Sequence, residues 1–289
     1  MSFSNRFVAA IVGALCVAAL IVAGIIAWPI GAQTSSNLPG AVILLYHRFG
    51  EDDIPSTNTT LAEFEAHLAH IKAENYRVVP LDVIVAAFED GTPLPDKAVA
   101  ITVDDAYSSF YEEGWPRLKN AGYPVTLFVT TEPVDNQRPG YMSWAEIAEI
   151  AEHPLGSIGH HGTTHNSFAF MGEAEIDSEL QKASARFEAE LGARPAAFAY
   201  PYGEANRAAL SWVEARGFRA AFGQHSGAAG PGLNRYFLPR FPVTGPYGDI
   251  ERLRQALNTQ PMPVADIDAT GLALADGDRP FRLSLTGLA

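Results

Sequence analysis

Strand-like and helix-like segments alternate along most of this chain. Short apolar runs of small and β-branched residues, as at 41–46, 98–103 and 124–130, predict buried strands. Amphipathic segments separate these runs, and the longest of them predicts a helix over residues 173–191. This order favours a parallel sheet, either open or closed into a barrel. In such folds active residues gather at the carboxyl ends of the strands.

The remaining predicted elements follow the same order. Two Ser/Thr–Glu capping boxes start helices, over residues 60–75 and from 143 to about 152. Further helices are predicted at 81–88, 115–121 and about 205–216, and further strands at 155–159, 196–200 and 218–222. His67, His70 and His153 lie within or near the end of predicted helices, and we expect all three to be solvated.

The first 32 residues differ in composition from the rest. Residues 8–28 form an apolar run preceded by Arg6, and this run is long enough to anchor the chain in a bilayer. Small residues at 30–32 resemble a cleavage site, so a removed signal peptide is the alternative. In both cases everything after Ala32 lies outside the cytoplasm. We expect a bacterial periplasmic or cell-envelope protein, anchored to the inner membrane or secreted.

Composition narrows the class of protein further. A net charge of −13 excludes a basic face for nucleic acid, and 47% hydrophobic residues are ordinary for a folded enzyme. The single cysteine, Cys16, lies in the apolar N-terminal run, so no disulfide is expected in the exported part. We predict a linker at 33–40, a catalytic domain at 41–260 and a β-hairpin-like extension at 261–289. The hairpin strands are expected at 267–274 and 281–288.

Two clusters of polar residues follow predicted strands. Asp104 and Asp105 end the strand at 98–103, and neighbouring positions there point in different directions. His161 and His165 are four residues apart, a spacing used to bind zinc. An aspartate here is also a common helix N-cap, and paired histidines occur in polar turns. The presence of both clusters at strand ends favours a hydrolytic metal site. His160 is a poorer ligand candidate than His161, because it lies five residues from His165 rather than four.

These residues lie in two of three segments that together resemble motifs of a known family. The segments Thr102–Asp105, His161–His165 and Tyr200–Gly203 resemble signature motifs of the polysaccharide deacetylases (carbohydrate esterase family 4, the NodB homology domain). The resemblance covers about residues 41–245. It implies an α/β fold, a distorted (β/α) barrel, with the C-terminal β extension added. It also implies metal-dependent removal of acetyl groups from an N-acetylated polysaccharide of the N-acetylglucosamine type.

The same resemblance assigns roles to individual residues. The ligands of a divalent metal, most often Zn²⁺, would be Asp105, His161 and His165. Asp104 would be the general base that deprotonates water. Pro201 and Tyr202 would shape the acetyl pocket, and the Tyr202 backbone N–H would stabilise the oxyanion. A bound metal lowers the pKa of water to about 7, and fixed donors stabilise developing charge.

The sequence departs from the family pattern in its second and third motifs. Gly162 follows the first histidine where the family usually has Ser or Thr, so a hydroxyl contact to the loop is missing. Ala199 stands where the family usually has an arginine that braces the base. Arg240, in a later Leu-Pro-Arg-Phe-Pro segment, is a candidate substitute, and a surface cation is the alternative.

Members of the family usually have a late Leu-x-His motif whose histidine is the general acid. This chain lacks it, because no histidine follows His225. Leu45-Tyr46-His47 fits that motif at the start of the domain, as in circularly permuted relatives similar to the poly-β-1,6-N-acetylglucosamine deacetylases. We predict His47 as the acid, with a packed strand-end histidine as its alternative, and His225 as a second candidate or a substrate contact. An O-acetyl glycan esterase and a non-catalytic glycan-binding protein are the other functions left open.

Overall fold

Eight parallel strands form the central sheet of the protein. The computed structural model describes residues 40–261 and, by backbone, the segments 264–267 and 283–285. The strands are β1 (Val42–Tyr46), β2 (Arg48–Phe49), β3 (Asn58–Thr59), β4 (Arg77–Val78), β5 (Ala98–Asp104), β6 (Val125–Val129), β7 (Gly156–His160), β8 (Ala197–Ala199), β9 (Ala220–Phe222), β10 (Phe241–Pro242), β11 (Val264–Ile267) and β12 (Leu283–Leu285). The sheet order is β10-β1-β5-β6-β7-β8-β9, and β4 pairs with the start of β5.

Helices connect most of these strands. They are α1 (Leu61–Ala73), α2 (Leu81–Asp90), α3 (Trp115–Ala121), α4 (Thr131–Asp135), α5 (Trp144–Glu152), α6 (Glu173–Leu191), α7 (Arg207–Ala215) and α8 (Ile250–Leu257). Both predicted capping boxes are present, at Thr60 and Ser143. The predicted helices therefore lie where the sequence pattern placed them, within a few residues at their ends.

The sheet curls until its two edges nearly meet. Phe222 of β9 forms a parallel bridge with Leu238, and three residues farther along the chain Phe241 of β10 pairs with β1. One short segment thus joins the last strand of the curled sheet to the first. This arrangement confirms the predicted distorted (β/α) barrel.

Alternation along β5 decides which side chains face the enclosed space. Val99, Ile101 and Val103 belong to a core cluster that includes residues of α1, α3 and α5. Ala98 and Ala100 belong to a second cluster with α2 and residues of β8 and β9. Successive residues of a strand point to opposite faces, so Thr102 and Asp104 share the face of the alanines. The strand therefore carries its terminal carboxylate on the inner side.

The predicted terminal segments lie largely outside the described residues. The apolar run at 8–28 and the linker at 33–40 fall there, except for Gly40. Among the residues that the structure does describe, no helix is long and apolar enough to cross a membrane. β11 and β12 pair antiparallel, and they overlap the predicted hairpin strands only at residue 267 and at 283–285. The domain boundaries remain predictions.

His67 corrects one expectation. It is fully buried rather than solvated, its Nδ1 lies 3.0 Å from the Tyr46 hydroxyl, and its Nε2 lies 2.7 Å from the Gly248 carbonyl oxygen. It shares one face of α1 with the buried Phe64 and Ile71. The apolar residues one helical turn before and after His67 could have indicated from the sequence that it is buried.

Candidate active site

Asp104 is held by Arg240 inside the curled sheet. The guanidinium donates two hydrogen bonds of 2.7 Å, one to each carboxylate oxygen, and a third of 3.2 Å to the Thr102 hydroxyl. Both Asp104 and Arg240 are fully buried. Burial, the largest single influence, raises the pKa of Asp104, but the charge and hydrogen bonds of Arg240 together with the charges of His161 and His47 outweigh it and hold the pKa below its ordinary value. The alternative interpretation of Arg240 as a surface cation is therefore wrong.

Asp105, His161 and His165 come together beside this pair. Asp105 Oδ1 lies 3.3 Å from His161 Nε2 and 3.0 Å from His165 Nε2. Among the residues that the structure describes, Asp105 Oδ1 and His161 Nε2 are buried and have no hydrogen-bond partner, which is costly for polar atoms. One carboxylate and two imidazole nitrogens within 4.8 Å of one another form a donor set that fits a divalent metal ion.

The orientation of His161 is fixed by the backbone of β8. Its Nδ1 lies 2.7 Å from the Ala199 carbonyl oxygen, so Nδ1 carries a proton and Nε2 faces Asp105. Metal-binding histidines are generally held in this way by a carbonyl or carboxylate. Although Ala199 lacks the arginine side chain of the family pattern, its backbone contributes to the site.

His160 faces away from the cluster. Its ring packs against Phe187, Phe198 and Phe218, and Nδ1 accepts a hydrogen bond from the Gly162 backbone N–H. Burial lowers the pKa of this histidine to about 3. Its position agrees with the prediction that His161 rather than His160 is the ligand candidate.

His47 lies in the same electrostatic environment as the two aspartates. It follows β1, it is buried, and its Nδ1 has no hydrogen-bond partner within the described part of the chain. Burial, the largest influence, lowers the pKa of His47, while the charges of Asp105 and Asp104 act in the opposite direction. A strand from the front of the domain thus places an imidazole near both carboxylates.

Tyr202 lies beside His165, in the turn after β8. Its ring centroid is 4.6 Å from that of His165, its side chain is 58% exposed, and Pro201 beside it is buried. Tyr202 has a φ of 59°, in the left-handed region that is unfavourable for residues other than glycine. Strained residues of this kind cluster at functional sites.

His225 is exposed and stacks on Phe237, with ring centroids 4.8 Å apart. Its carbonyl oxygen accepts a hydrogen bond of 3.2 Å from the Arg240 backbone N–H. The segment that carries His225 is therefore tied to the Arg240 segment, whereas its imidazole is at the surface. Of the two acid candidates, His47 is the one buried beside the carboxylates.

Sequence reasoning missed the contacts on both sides of this centre. Arg48 stacks over the Tyr107 ring at 3.4 Å and forms an ion pair of 2.6 Å with Glu51. Glu179 of α6 accepts hydrogen bonds from the Thr163–Thr164 segment between the two histidines. An acidic residue on the apolar face of a helix was the available signal for Glu179.

Comparisons with known proteins agree with this geometry. The family model described as polysaccharide deacetylase matches residues 91–221. A Bacillus subtilis (strain 168) protein, named as polysaccharide deacetylase YxkH, is 26% identical over 219 residues, which cover 75% of each chain. The poly-β-1,6-N-acetyl-D-glucosamine N-deacetylase of Escherichia coli K12 is 24% identical over 66% of this chain, and the match spans 34% of that enzyme.

A solved structure shows the same fold. The chain superposes on IcaB from Ammonifex degensii with a TM-score of 0.67 and 26% sequence identity, covering 76% of this chain and 97% of IcaB.

Proposed function

We propose that this chain, which the polysaccharide deacetylase family model matches over residues 91–221, hydrolyses acetyl groups from an N-acetylated polysaccharide of the N-acetylglucosamine type. The products are acetate and a free amine on the sugar. The observation that carries the proposal is the juxtaposition of the Asp105–His161–His165 group with Asp104 held by Arg240. The name of the Escherichia coli relative supports the choice of substrate.

The proposed metal ligands are Asp105, His161 and His165, and Zn²⁺ is the proposed ion. Imidazole nitrogens and a carboxylate are ligands that zinc accepts, and three protein ligands are typical of its catalytic sites. A bound zinc ion supplies Lewis-acid polarisation of a carbonyl and lowers the pKa of water to about 7. The buried Nε2 of His161, which has no hydrogen-bond partner in the described part of the chain, supports this assignment.

In the proposed reaction Asp104 is the general base. Its depressed pKa keeps it ionised at neutral pH, so that it can accept a proton from the attacking water. The water oxygen forms a bond to the acetamide carbonyl carbon. Arg240 acts through Asp104 as a positioning residue, because it fixes both carboxylate oxygens.

The second half of the reaction needs an acid and a pocket. The C–N bond breaks as His47 donates a proton to the leaving amine nitrogen, which its place near both carboxylates supports. Pro201 and Tyr202 shape the acetyl pocket, and the Tyr202 backbone N–H stabilises the oxyanion. His225 at the surface is assigned a substrate contact.

We place this reaction outside the cytoplasm, with residues 8–28 as the anchor in the inner membrane or as a cleaved signal. Polysaccharides of the cell envelope are the substrates found there, and the apolar run has the length of a membrane span. The domain at 41–260 is then the exported catalytic unit.

Acetate release distinguishes the proposal from its alternatives. The zinc-loaded protein is incubated with N-acetylglucosamine oligomers and, in parallel, with O-acetylated xylan. Release from the oligomers supports the N-deacetylase. Release from xylan alone would show an O-acetyl esterase, and oligomer binding without acetate from either substrate would show a non-catalytic glycan-binding protein.

A further inference from the structure

Glu179 is a buried carboxylate that the proposed reaction does not use. It is 8% exposed and lies on the face of α6 that also carries the buried Leu180, Ala183 and Phe187. Burial of an acidic side chain among apolar residues is costly unless its oxygens accept hydrogen bonds. The partners of this carboxylate therefore indicate its purpose.

Within the described residues, all side-chain hydrogen bonds of Glu179 go to one short segment between the two histidines. Its Oε2 accepts from the backbone N–H groups of Thr163 and Thr164, each at 2.9 Å. Its Oε1 accepts from the Thr164 hydroxyl at 3.1 Å, and its backbone carbonyl accepts from the Thr163 hydroxyl at 2.8 Å. One residue thus satisfies both amides and both hydroxyls of the segment.

The opposite side of the segment is held by the start of α4. The Thr131 N–H donates to the Gly162 carbonyl at 3.2 Å, and the Glu132 N–H donates to the Thr163 carbonyl at 2.9 Å. The donors of the segment are therefore fixed by α6 and its acceptors by α4. Two different helices hold the loop between them.

This support acts on a strained stretch of backbone. Gly162 has a φ of 78°, and His165 has a φ of 62°, which is unfavourable for a histidine. A conformation of this kind persists only where the surrounding contacts over-determine it. The place of the His165 ring, 3.0 Å from Asp105, depends on those contacts.

We propose that Glu179 is a positioning residue of the metal centre, which orients His165 toward Asp105 by fixing Thr163 and Thr164. The proposal rests on the proposed function, because it requires that these ligands bind a metal. Residues that support metal ligands typically change metal affinity by about 10- to 100-fold when they are removed. Glu179 also supplies a loop contact from α6 where the usual hydroxyl after His161 is missing.

The test uses Zn²⁺ alone as the probe and the full chain as the protein. Zinc titration followed by calorimetry should show an affinity about 10- to 100-fold weaker for Glu179→Ala than for the wild type. In the zinc-free protein, hydrogen exchange at the Thr163 and Thr164 amides should be faster in this variant, because both amides lose their acceptor.

Two variants separate positioning from a general effect on the helix. Glu179→Gln keeps an oxygen that can accept from both amides, so its zinc affinity should stay close to that of the wild type. Glu188→Ala removes an exposed acid from the same helix and should leave the affinity unchanged. If Glu179→Ala does not fold, Glu179→Asp replaces it, with an affinity loss of about tenfold expected from its shorter reach.

Unchanged zinc affinity in Glu179→Ala would overturn the proposal, as would a Glu179→Gln variant that binds zinc as weakly as Glu179→Ala. Neither measurement uses turnover. A wild-type protein that binds zinc and releases no acetate would therefore contradict the proposed function and leave the role of Glu179 intact.

Discussion

Arg240 and Asp104 form a fully buried ion pair in which each carboxylate oxygen accepts a hydrogen bond of 2.7 Å. The two residues are 136 positions apart, and the short segment that joins the edges of the curled sheet brings them together. Such a pair fixes the carboxylate in one orientation, because a planar guanidinium meets it at two points.

Replacement of Arg240 by alanine should destabilise the protein and change its pH profile. The substitution leaves a buried carboxylate unpaired, which typically costs about 3–5 kcal/mol. Arg240 lowers the pKa of Asp104, so its removal raises that pKa and moves the acid limb of kcat/KM to higher pH. Urea unfolding and a pH–rate series measure the two effects. Arg254→Ala, in an exposed ion pair, should change neither, and an unmoved acid limb in Arg240→Ala would contradict the account.

His47→Ala tests the assignment of the acid. Loss of a general acid typically lowers turnover by about 100- to 10 000-fold, and we expect a decrease in that range with the fold and zinc content retained. His225→Ala removes the exposed imidazole and should lower kcat much less. Circular dichroism and metal analysis accompany the kinetics. If kcat were unaffected in His47→Ala and reduced in His225→Ala, the acid would be His225.

The buried His67 should make the free energy of unfolding depend on pH. Burial lowers its pKa in the folded protein, whereas the unfolded ring binds a proton near pH 6.5. Stability from this group is therefore present above about pH 6.5 and is lost as the pH falls toward the folded pKa. His67→Leu should lose about 1–3 kcal/mol at pH 7.5 and show a flatter pH dependence.

Lys72→Leu, at an exposed position of the same helix, is the control and should keep the wild-type slope. The difference in slope should be the same with and without zinc, because His67 contacts Tyr46 and Gly248 rather than the metal centre. Equal slopes in wild type and His67→Leu would refute the assignment.

Gly162→Ala tests the loop between the ligands. At a φ of 78° an alanine costs about 1–2 kcal/mol, and its Cβ would lie 3.4 Å from the Glu179 carboxylate. Gly192→Ala is a matched control, because its φ is 76° and nothing lies within 4 Å of the new Cβ. We expect similar losses of stability in both variants and weaker zinc binding in Gly162→Ala alone. If Gly162→Ala bound zinc as tightly as the wild type, the role of this loop in placing the metal ligands would be contradicted.

The fold could be predicted because its elements are encoded locally. Buried β-branched runs and capping residues identify strands and helices from a few neighbouring positions, and the parallel order follows from their alternation. The placement of Asp104, Asp105 and the histidine pair at strand ends could likewise be predicted from neighbouring residues.

Contacts between distant segments were harder to predict. The sequence offers Arg240 as a candidate partner, but only the closure of the sheet distinguishes the buried ion pair from a surface cation. His67 was expected to be solvated, because the Gly248 carbonyl that pairs with it comes from a segment 181 residues away. The place of Glu179 on the apolar face of α6 indicates burial, but its hydrogen-bond partners in the histidine loop follow only from the packing of α6 against that loop.

The most direct test of the central claim is acetate release by zinc-loaded Asp104→Asn, measured on N-acetylglucosamine oligomers beside the wild type and His161→Ala. Asparagine keeps the shape of the side chain but cannot accept the proton from water. Because the central claim makes Asp104 the base and His161 a metal ligand, we expect Asp104→Asn to retain zinc and release no acetate, and His161→Ala to lose both zinc and activity. Full acetate release by Asp104→Asn would contradict it.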